Sequence, residues 1–450
     1  MNRASLEAVI QRSAPLRDRI GGIFPGISEL PRSSGAPRLY YYSASPSQMP
    51  RLPGDPTPEE QRIMPQVPGA GVSADPLEAQ VRAIGESIER YCMCVYDQQQ
   101  FVRATAEELG ELAIDLERLA TCAPSEHSLQ HNYFVRPRKD VPLRWVKGIS
   151  LISGEPRYVP AMMVFLHFPP EHRDEQIWIP ISTGCACHTD LIQALVSGIC
   201  EVVERDALML TWLHQLPLPR IDLGDESQWP DRLRLMMELT RESHLEYHFF
   251  DATSDLGIPC IYALQLNDHT NLLSNLVVSA VRLDPVQAIV RVLEEGCTSR
   301  VALDARLGVA KPNPAHREHP EHIFSLEDCA LYYALREARA DFDFLLSTPH
   351  RRRLSELPNL ATGSPESDLE CLLERFRERD MEVVAVDLTT PEVRQAGFWV
   401  VRVIIPEMIP LSPAYGVRFL ATPRLYTAPE AMGYGRRTIN DITSKPQPFA

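Results

Sequence analysis

The stretch "SGICEVVERDALMLTW", residues 197–212, sets two glutamates and an arginine in an otherwise apolar run. Ile199, Val202, Val203, Leu208, Met209, Leu210 and Trp212 box them in. Ser197, Glu201, Glu204 and Arg205 fall at i, i+4, i+7 and i+8, so a helix carries all four on one face. Thr189 and Gln193 extend the stripe backward by one turn each. Carboxylates packed among apolar groups repel one another and need cations nearby.

The motif has echoes elsewhere. "GESIERYC", 85–92, repeats the Glu-x-x-Glu-Arg spacing with Glu86, Glu89 and Arg90. Farther on, "DPVQAIVRVLEEGCTSRVAL" places Arg291 and Glu295 at i and i+4, with Glu294 beside them. Hard oxygen ligands in this number suit Mg²⁺, which bridges carboxylates to nucleotide phosphates. Arg90 and Arg205 would then serve as guanidinium clamps on phosphate oxygens. The same spacing also suits three amphipathic helices with Glu–Arg links on their surfaces, and periodicity alone leaves both readings open.

Composition narrows the class. The chain has 450 residues, 44% hydrophobic and 23% charged, with a formal net charge of −15, which reads as globular and argues against a nucleic-acid or anionic-membrane binder. The amino terminus lacks an apolar signal core, and no apolar run approaches the roughly 20 residues of a spanning helix, so a cytoplasmic location is expected. The 10 cysteines show no disulfide-framework spacing. Cys92/Cys94 and Cys185/Cys187 with His188 lack zinc-finger or ribbon spacing and read as buried packing.

Along the chain, "SLEAVIQRS" predicts a short helix, and the Pro/Gly-crowded 44–76 predicts an extended connector. Asp75 is placed to cap a helix over 76–96, and a second helix is expected from 101 over "FVRATAEELGELAIDLERLA". "RWVKGISLISGEPRYVPAMMVFLHF" predicts a hairpin turning at "SGEPR" and leading to a strand-like "IWIPIS" at 177–182. Thr189 or Asp190 should cap a long helix to about 214. Core strands are expected in "LEYHFFDATSDLGIPCIYALQL" and "LLSNLVVSAVRL", a helix opens at Asp284-Pro285, and late strands are expected in "MEVVAVDLT" and "GFWVVRVIIP". The class is α+β or mixed α/β. Residues 1–75 read as an N-terminal segment with its connector, and 76–450 as the main domain.

These motifs resemble the YcaO superfamily, whose SxxxExxER signature is matched by Ser197, Glu201, Glu204 and Arg205, flanked by "STG" at 182–184 and "DAL" at 206–208. "AIGESIERY", "WVKGISLISGEPRYVPA", "FDATSDLGIPC" and "LTTPEVRQAGFWVVRVIIPEMIPL" are similar to further landmarks of that family. The resemblance implies a non-P-loop ATP-binding fold of mixed sheets and flanking helices. Glu86, Glu89, Glu201 and Glu204 are implied to hold Mg²⁺, and Ser197, Arg90, Arg205, Arg291, Glu295, Thr189 and Gln193 to surround ATP. Three departures stand out: "CACH" after "STG", Gln193 where Glu is common, and Thr298 and Ser299 where the family carries a Gln.

The tail "TSKPQPFA" is similar to the Pro-rich termini of azoline-forming members, with Ala450 replacing a final Pro. Two prolines keep it extended and cheap to order, so the Ala450 carboxylate is expected at the active site. The implied activity is ATP-dependent cyclodehydration of Cys, Ser or Thr in a ribosomal precursor peptide. Another backbone-amide activation (thioamide or macroamidine formation) or a non-catalytic scaffold role are the alternatives. No leader-binding module is evident in 1–75, so the resemblance implies a leader-binding E1-like partner subunit, a flavin-dependent azoline dehydrogenase, and a homodimer within a larger complex.

Overall fold

The computed structural model describes residues 3–18, 21–32, 36–44, 69–129, 132–269, 272–309, 315–323, 325–412 and 414–449. Three sheets organise it. The first is antiparallel: β1 (Ser28–Glu29), β2 (Tyr40–Ala44) and β3 (Gly69–Ser73). The second joins β4 (Val102–Ala104), β5 (Leu143–Ser150), β6 (Pro156–Pro160), β7 (Cys185–His188), β13 (Val384–Asp387) and β14 (Trp399–Ile404) in the order β4-β5-β13-β14-β7, with β6 paired to β5. The third is built from β8 (Arg220–Asp222), β9 (Glu246–Asp251), β10 (Cys260–Leu266), β11 (Asn275–Val281) and β12 (Arg351–Arg353), in the order β11-β10-β9-β8-β12. Its β8–β12 pairing is parallel and its other pairings antiparallel, so the sheet is mixed.

The principal helices are α1 (Arg3–Arg12), α2 (Pro76–Cys92), α3 (Leu191–His214), α4 (Asp231–Glu242), α5 (Pro285–Val309), α6 (Pro365–Arg377) and α7 (Arg424–Ala431). Helix α2 packs on β2 and β3 and on β7; α3 packs on β7 and β14 and on β11; α5 packs on β10 and β11 and on β3. Helices and sheets therefore alternate around a ring. The three Glu/Arg helices of the sequence are the three helices of that ring.

Local chemistry accounts for the helix starts. Asp75 accepts hydrogen bonds from Leu77 N and Glu78 N ahead of Pro76, and Asp190 accepts one from Gln193 N at 2.9 Å, so Asp190 is the cap of α3. Helix α3 ends where Gln215 turns left-handed (φ 48°). Most of α3 is sunk in the core, with Trp212 in T-shaped contact with Tyr333 at 5.1 Å. Each fully buried large apolar side chain there contributes about 1.5–3 kcal/mol. Asp206 is wholly buried on the same helix. It pairs with Arg424 at 2.8 Å and accepts Ile409 N–H at 3.0 Å, tying α3 to the C-terminal region.

Several expectations need correction. Residues 101–120 form no long helix: Thr105 and Glu108 make a capping box for a single turn, Ala106–Leu109, and Gly110 at φ 57° breaks it. Beyond Gly110 the chain makes short 3-10 turns that bury Ile114, Leu116 and Leu119. "IWIPIS" is buried at Ile177, Trp178 and Ile179 but pairs with no strand among the described residues. Helix α2 stops at Cys92 rather than 96. Residues 45–68 of the expected connector lie outside the described residues, but 69–73 are a strand. A Cβ at Gly71 would sit 1.9 Å from the Ala79 carbonyl oxygen of α2, so glycine is what allows strand and helix backbones to meet. The hairpin at 143–160, the strands at 246–281 and at 384–404, and the helix opening at Asp284 stand as expected.

Candidate active site

Along α3, Gln193, Ser197, Glu201 and Arg205 keep exposed or half-exposed surface, while nearly every other position from Ala194 onward is buried. The charged stripe is thus an open seam on a buried helix, not a solvated outer face. At its centre, Glu201 Oε2 accepts Gly184 N–H at 3.0 Å. Gly184 holds φ 86°, and a Cβ there would lie 2.3 Å from the Val403 carbonyl oxygen, so the loop closes on the glutamate only with glycine. Arg205 bridges Glu201 at 3.3 Å and Glu204 at 2.5 Å. Glu204 is buried and also accepts from Ser279 Oγ at 3.1 Å and Val281 N at 3.2 Å, both on β11. Burial pushes its carboxyl above the usual range, Arg205 and Arg282 oppose that, and Glu201 and Glu295 add to it.

Helix α2 supplies the facing carboxylates. Glu86 accepts Ala70 N–H from β3 at 2.8 Å and pairs with Arg90 at 3.0 Å. Glu89 is densely enclosed, and burial drives its carboxyl well above the ordinary range against the pull of Arg90; Glu201 and Glu86 push the same way. Glu89 and Glu201 therefore face one another electrostatically across α2 and α3. Helix α5 completes the set: Arg291 bonds Glu295. Burial raises Glu295, but Arg291, Arg205, Arg282 and Arg82 outweigh it and hold the carboxyl below its usual value.

The three helices named from spacing thus converge. Thr189 precedes α3 and Gln193 lies in its first turn, next to His188, whose Nδ1 accepts Asp190 N–H at 2.9 Å. Thr298 bonds back to the Glu294 carbonyl at 3.2 Å on its own helix. Ala450 lies outside the described residues, but the tail leading to it is anchored and buried. Tyr333 donates to the Pro446 carbonyl at 2.6 Å, Trp212 Nε1 to that of Lys445 at 3.4 Å, and Gln447 folds back on Phe449 at 2.9 Å. Phe449 then covers the Arg205 guanidinium at 4.3 Å. All 10 cysteines are free and most are buried, as packing residues would be.

Three further arginines join the site without a motif of the kind that marks Arg90 and Arg205. Arg82 pairs with Glu294 at 2.8 Å and Glu78 at 3.1 Å. It stands one turn before Glu86, so α2 reads Arg-x-x-x-Glu-x-x-Glu-Arg, the spacing of α3; that repeat was the available signal. Arg402 on β14 donates to the carbonyls of Met163 and Ile181 and neighbours Glu89 and Glu201. Arg282 directly follows β11 and bonds the carbonyl of Val281, whose N–H holds Glu204. Neither has a local pattern that reveals it.

Among the described residues no three His, Cys, Asp or Glu side chains converge into a metal cage, because arginines take up the carboxylate oxygens between them. The donor set nevertheless fits Mg²⁺ with a polyphosphate. Its ligands are hard oxygens, Glu89 and Glu204 are held upward by burial and by repulsion from Glu201 and other nearby carboxylates that a cation relieves, and Arg90 Nε is buried with no hydrogen-bond partner in the described structure.

Carboxylate-bearing helices with interleaved guanidinia, and no phosphate-binding glycine loop among the described residues, make a helix-lined candidate site for a magnesium-bound polyphosphate. The family model described as YcaO cyclodehydratase, ATP- and Mg²⁺-binding, matches residues 70–409, and the chain belongs to that family. It is 26% identical over 341 residues to an uncharacterized protein of Methanothermobacter thermautotrophicus, covering 75% of this chain and 80% of the relative. A solved heterocyclase in complex with substrate and cofactor superposes with a TM-score of 0.80 at 22% identity, covering 99% of this chain and 57% of that one. The chain thus spans a little over half of that protein's length. YcaO from Methanopyrus kandleri, bound with AMPPCP and Mg²⁺, gives a TM-score of 0.62 at 19% identity and 90% coverage of both chains. The expected α+β architecture is the fold of these neighbours. Among the described residues no helix is long and apolar enough to cross a membrane.

Proposed function

We propose that this protein is an ATP-dependent cyclodehydratase that converts Cys, Ser or Thr of a ribosomal precursor peptide into thiazolines or oxazolines. The substrate thiol or hydroxyl attacks the preceding backbone carbonyl, giving up its proton; the oxyanion takes the γ-phosphoryl group of ATP. Phosphate then leaves, carrying the carbonyl oxygen, as the amide nitrogen loses its proton, so each ring removes the elements of one water from the peptide and converts one ATP to ADP and phosphate. Phosphorylation converts a poor oxide leaving group into a good one.

In this reading Glu86, Glu89, Glu201 and Glu204 hold Mg²⁺, which when bound neutralises phosphate charge. Arg90, Arg205 and Arg291 bind phosphate oxygens, Glu295 keeps Arg291 aimed, and Ser197, Thr189 and Gln193 line the nucleotide's approach. Catalysis is then positioning and charge neutralisation. The Ala450 carboxylate, one residue beyond Phe449, acts as proton acceptor or organiser of the reacting amide.

The observation that carries the azoline reading is the path of the tail. Buried residues 446–449 run past Trp212 and Tyr333 and end on Arg205, inside the carboxylate site. A ribosomal peptide, a leader-binding E1-like subunit and a flavin-dependent azoline dehydrogenase are the proposed partners. The test is to incubate the protein with a candidate precursor, its partner and ATP, and weigh the product. Loss of one water per ring supports the reading; replacement of a backbone oxygen by sulfur, with no water lost, assigns thioamide chemistry instead.

A further inference from the structure

The end of β11 brings three groups to one place. Ser279 and Val281 bond the two oxygens of Glu204 through Oγ and N–H, at 3.1 and 3.2 Å. The next residue is Arg282, half-buried, whose Nη1 donates to the Val281 carbonyl at 2.7 Å. No carboxylate among the described residues lies within ion-pair reach of it, whereas Arg82, Arg90, Arg205 and Arg291 are each closed by at least one. Through Val281, whose N–H bonds Glu204 and whose carbonyl accepts from Arg282, the guanidinium nonetheless stands at the edge of the carboxylate seam.

A guanidinium beside Glu204 and bonded to no carboxylate keeps most of its five donors for something else. Its planar fork matches two oxygens of a phosphate, and the half-burial strengthens such a bond over one made in water. The paired arginines must break an ion pair before they bind phosphate; Arg282 need not. Its bond to the adjacent carbonyl links no distant elements, so the fold does not depend on it.

We propose that Arg282 contacts the terminal phosphate of the nucleotide, beside Glu204 of the carboxylate set that holds its metal. This rests on the nucleotide-site reading above. The γ-phosphate is assigned because Arg282 is bonded to Val281, Val281 holds Glu204, and Glu204 pairs at 2.5 Å with Arg205, the guanidinium that Phe449 covers at the end of the tail.

The test is calorimetric titration of wild type, Arg282→Gln and Arg282→Lys with Mg²⁺–AMPPCP and with Mg²⁺–ADP, alongside melting curves. Arg282→Gln should lose about 10- to 100-fold in affinity for the triphosphate analogue. Its ADP affinity should move by no more than about threefold, and Arg282→Lys should fall between. Unchanged AMPPCP binding in folded Arg282→Gln, equal losses for both nucleotides, or loss of fold in both variants overturns the assignment. Wild type that binds neither nucleotide overturns the site itself, and the role of Arg282 with it.

Discussion

The guanidinium of Arg205 lies 4.3 Å from the centre of the Phe449 ring, joining the carboxylate helix α3 to the C-terminal tail. The contact gives the tail a defined end point, and its removal has separable effects. Phe449→Ala should slow cyclisation about 3- to 30-fold, the range a desolvated cation–π contact supports. Deleting residues 446–450 should abolish it. Nucleotide affinity should change little in either case, because the glutamates are positioned by Gly184, Ala70 and β11. Parallel assays of product mass and nucleotide binding decide the matter; equal turnover with and without the tail contradicts it.

Two glycines one helix apart should respond in opposite senses. Gly71→Ala drives a Cβ into the Ala79 carbonyl and should cost ~3 kcal/mol or more, loosening the Ala70 bond to Glu86 as well. Gly85, inside α2, faces open space, and Gly85→Ala should stabilise by about 0.5–1 kcal/mol. Denaturant midpoints of the two variants check both signs.

Glu407 supplies a pH prediction. Burial lifts its carboxyl from 4.5 to about 7, with Arg118, 2.6 Å away, only partly offsetting it. Between those values the folded state holds a proton that the unfolded state has lost, so this group's contribution to stability is complete below about 4.5 and falls as pH rises through 7. Glu407→Gln should match wild type near pH 4 and exceed it by on the order of 2–3 kcal/mol at pH 8. A stability difference that does not change with pH contradicts the assignment.

The parts of this molecule written in short-range pattern are readable from the sequence. Glu201, Glu204 and Arg205 announce themselves because helix period and chemistry coincide, and Asp75 and Asp190 because caps are local. The strand at 69–73 is hidden because its glycines look like a turn until the helix they press against is known. The expected helix at 101–120 fails at Gly110, whose positive φ and upstream capping box outweigh an apolar periodicity that instead feeds 3-10 turns into the core. Arg282 and Arg402 are invisible for another reason: each comes from a strand end or interior and meets the glutamates only through tertiary packing.

The proposed chemistry stands on the glutamates of α2 and α3 acting together on one magnesium nucleotide. Glu201 is the residue to test, since it faces Glu89 across the helices and is held by Gly184 and Arg205. Glu201→Gln keeps the shape and removes the charge. Titration of the folded variant with Mg²⁺–AMPPCP should show binding weakened by more than the roughly 10- to 100-fold that loss of a merely supporting ligand partner costs. Wild-type affinity in a Glu201→Gln protein with an unchanged melting curve would contradict joint binding of the magnesium nucleotide by α2 and α3.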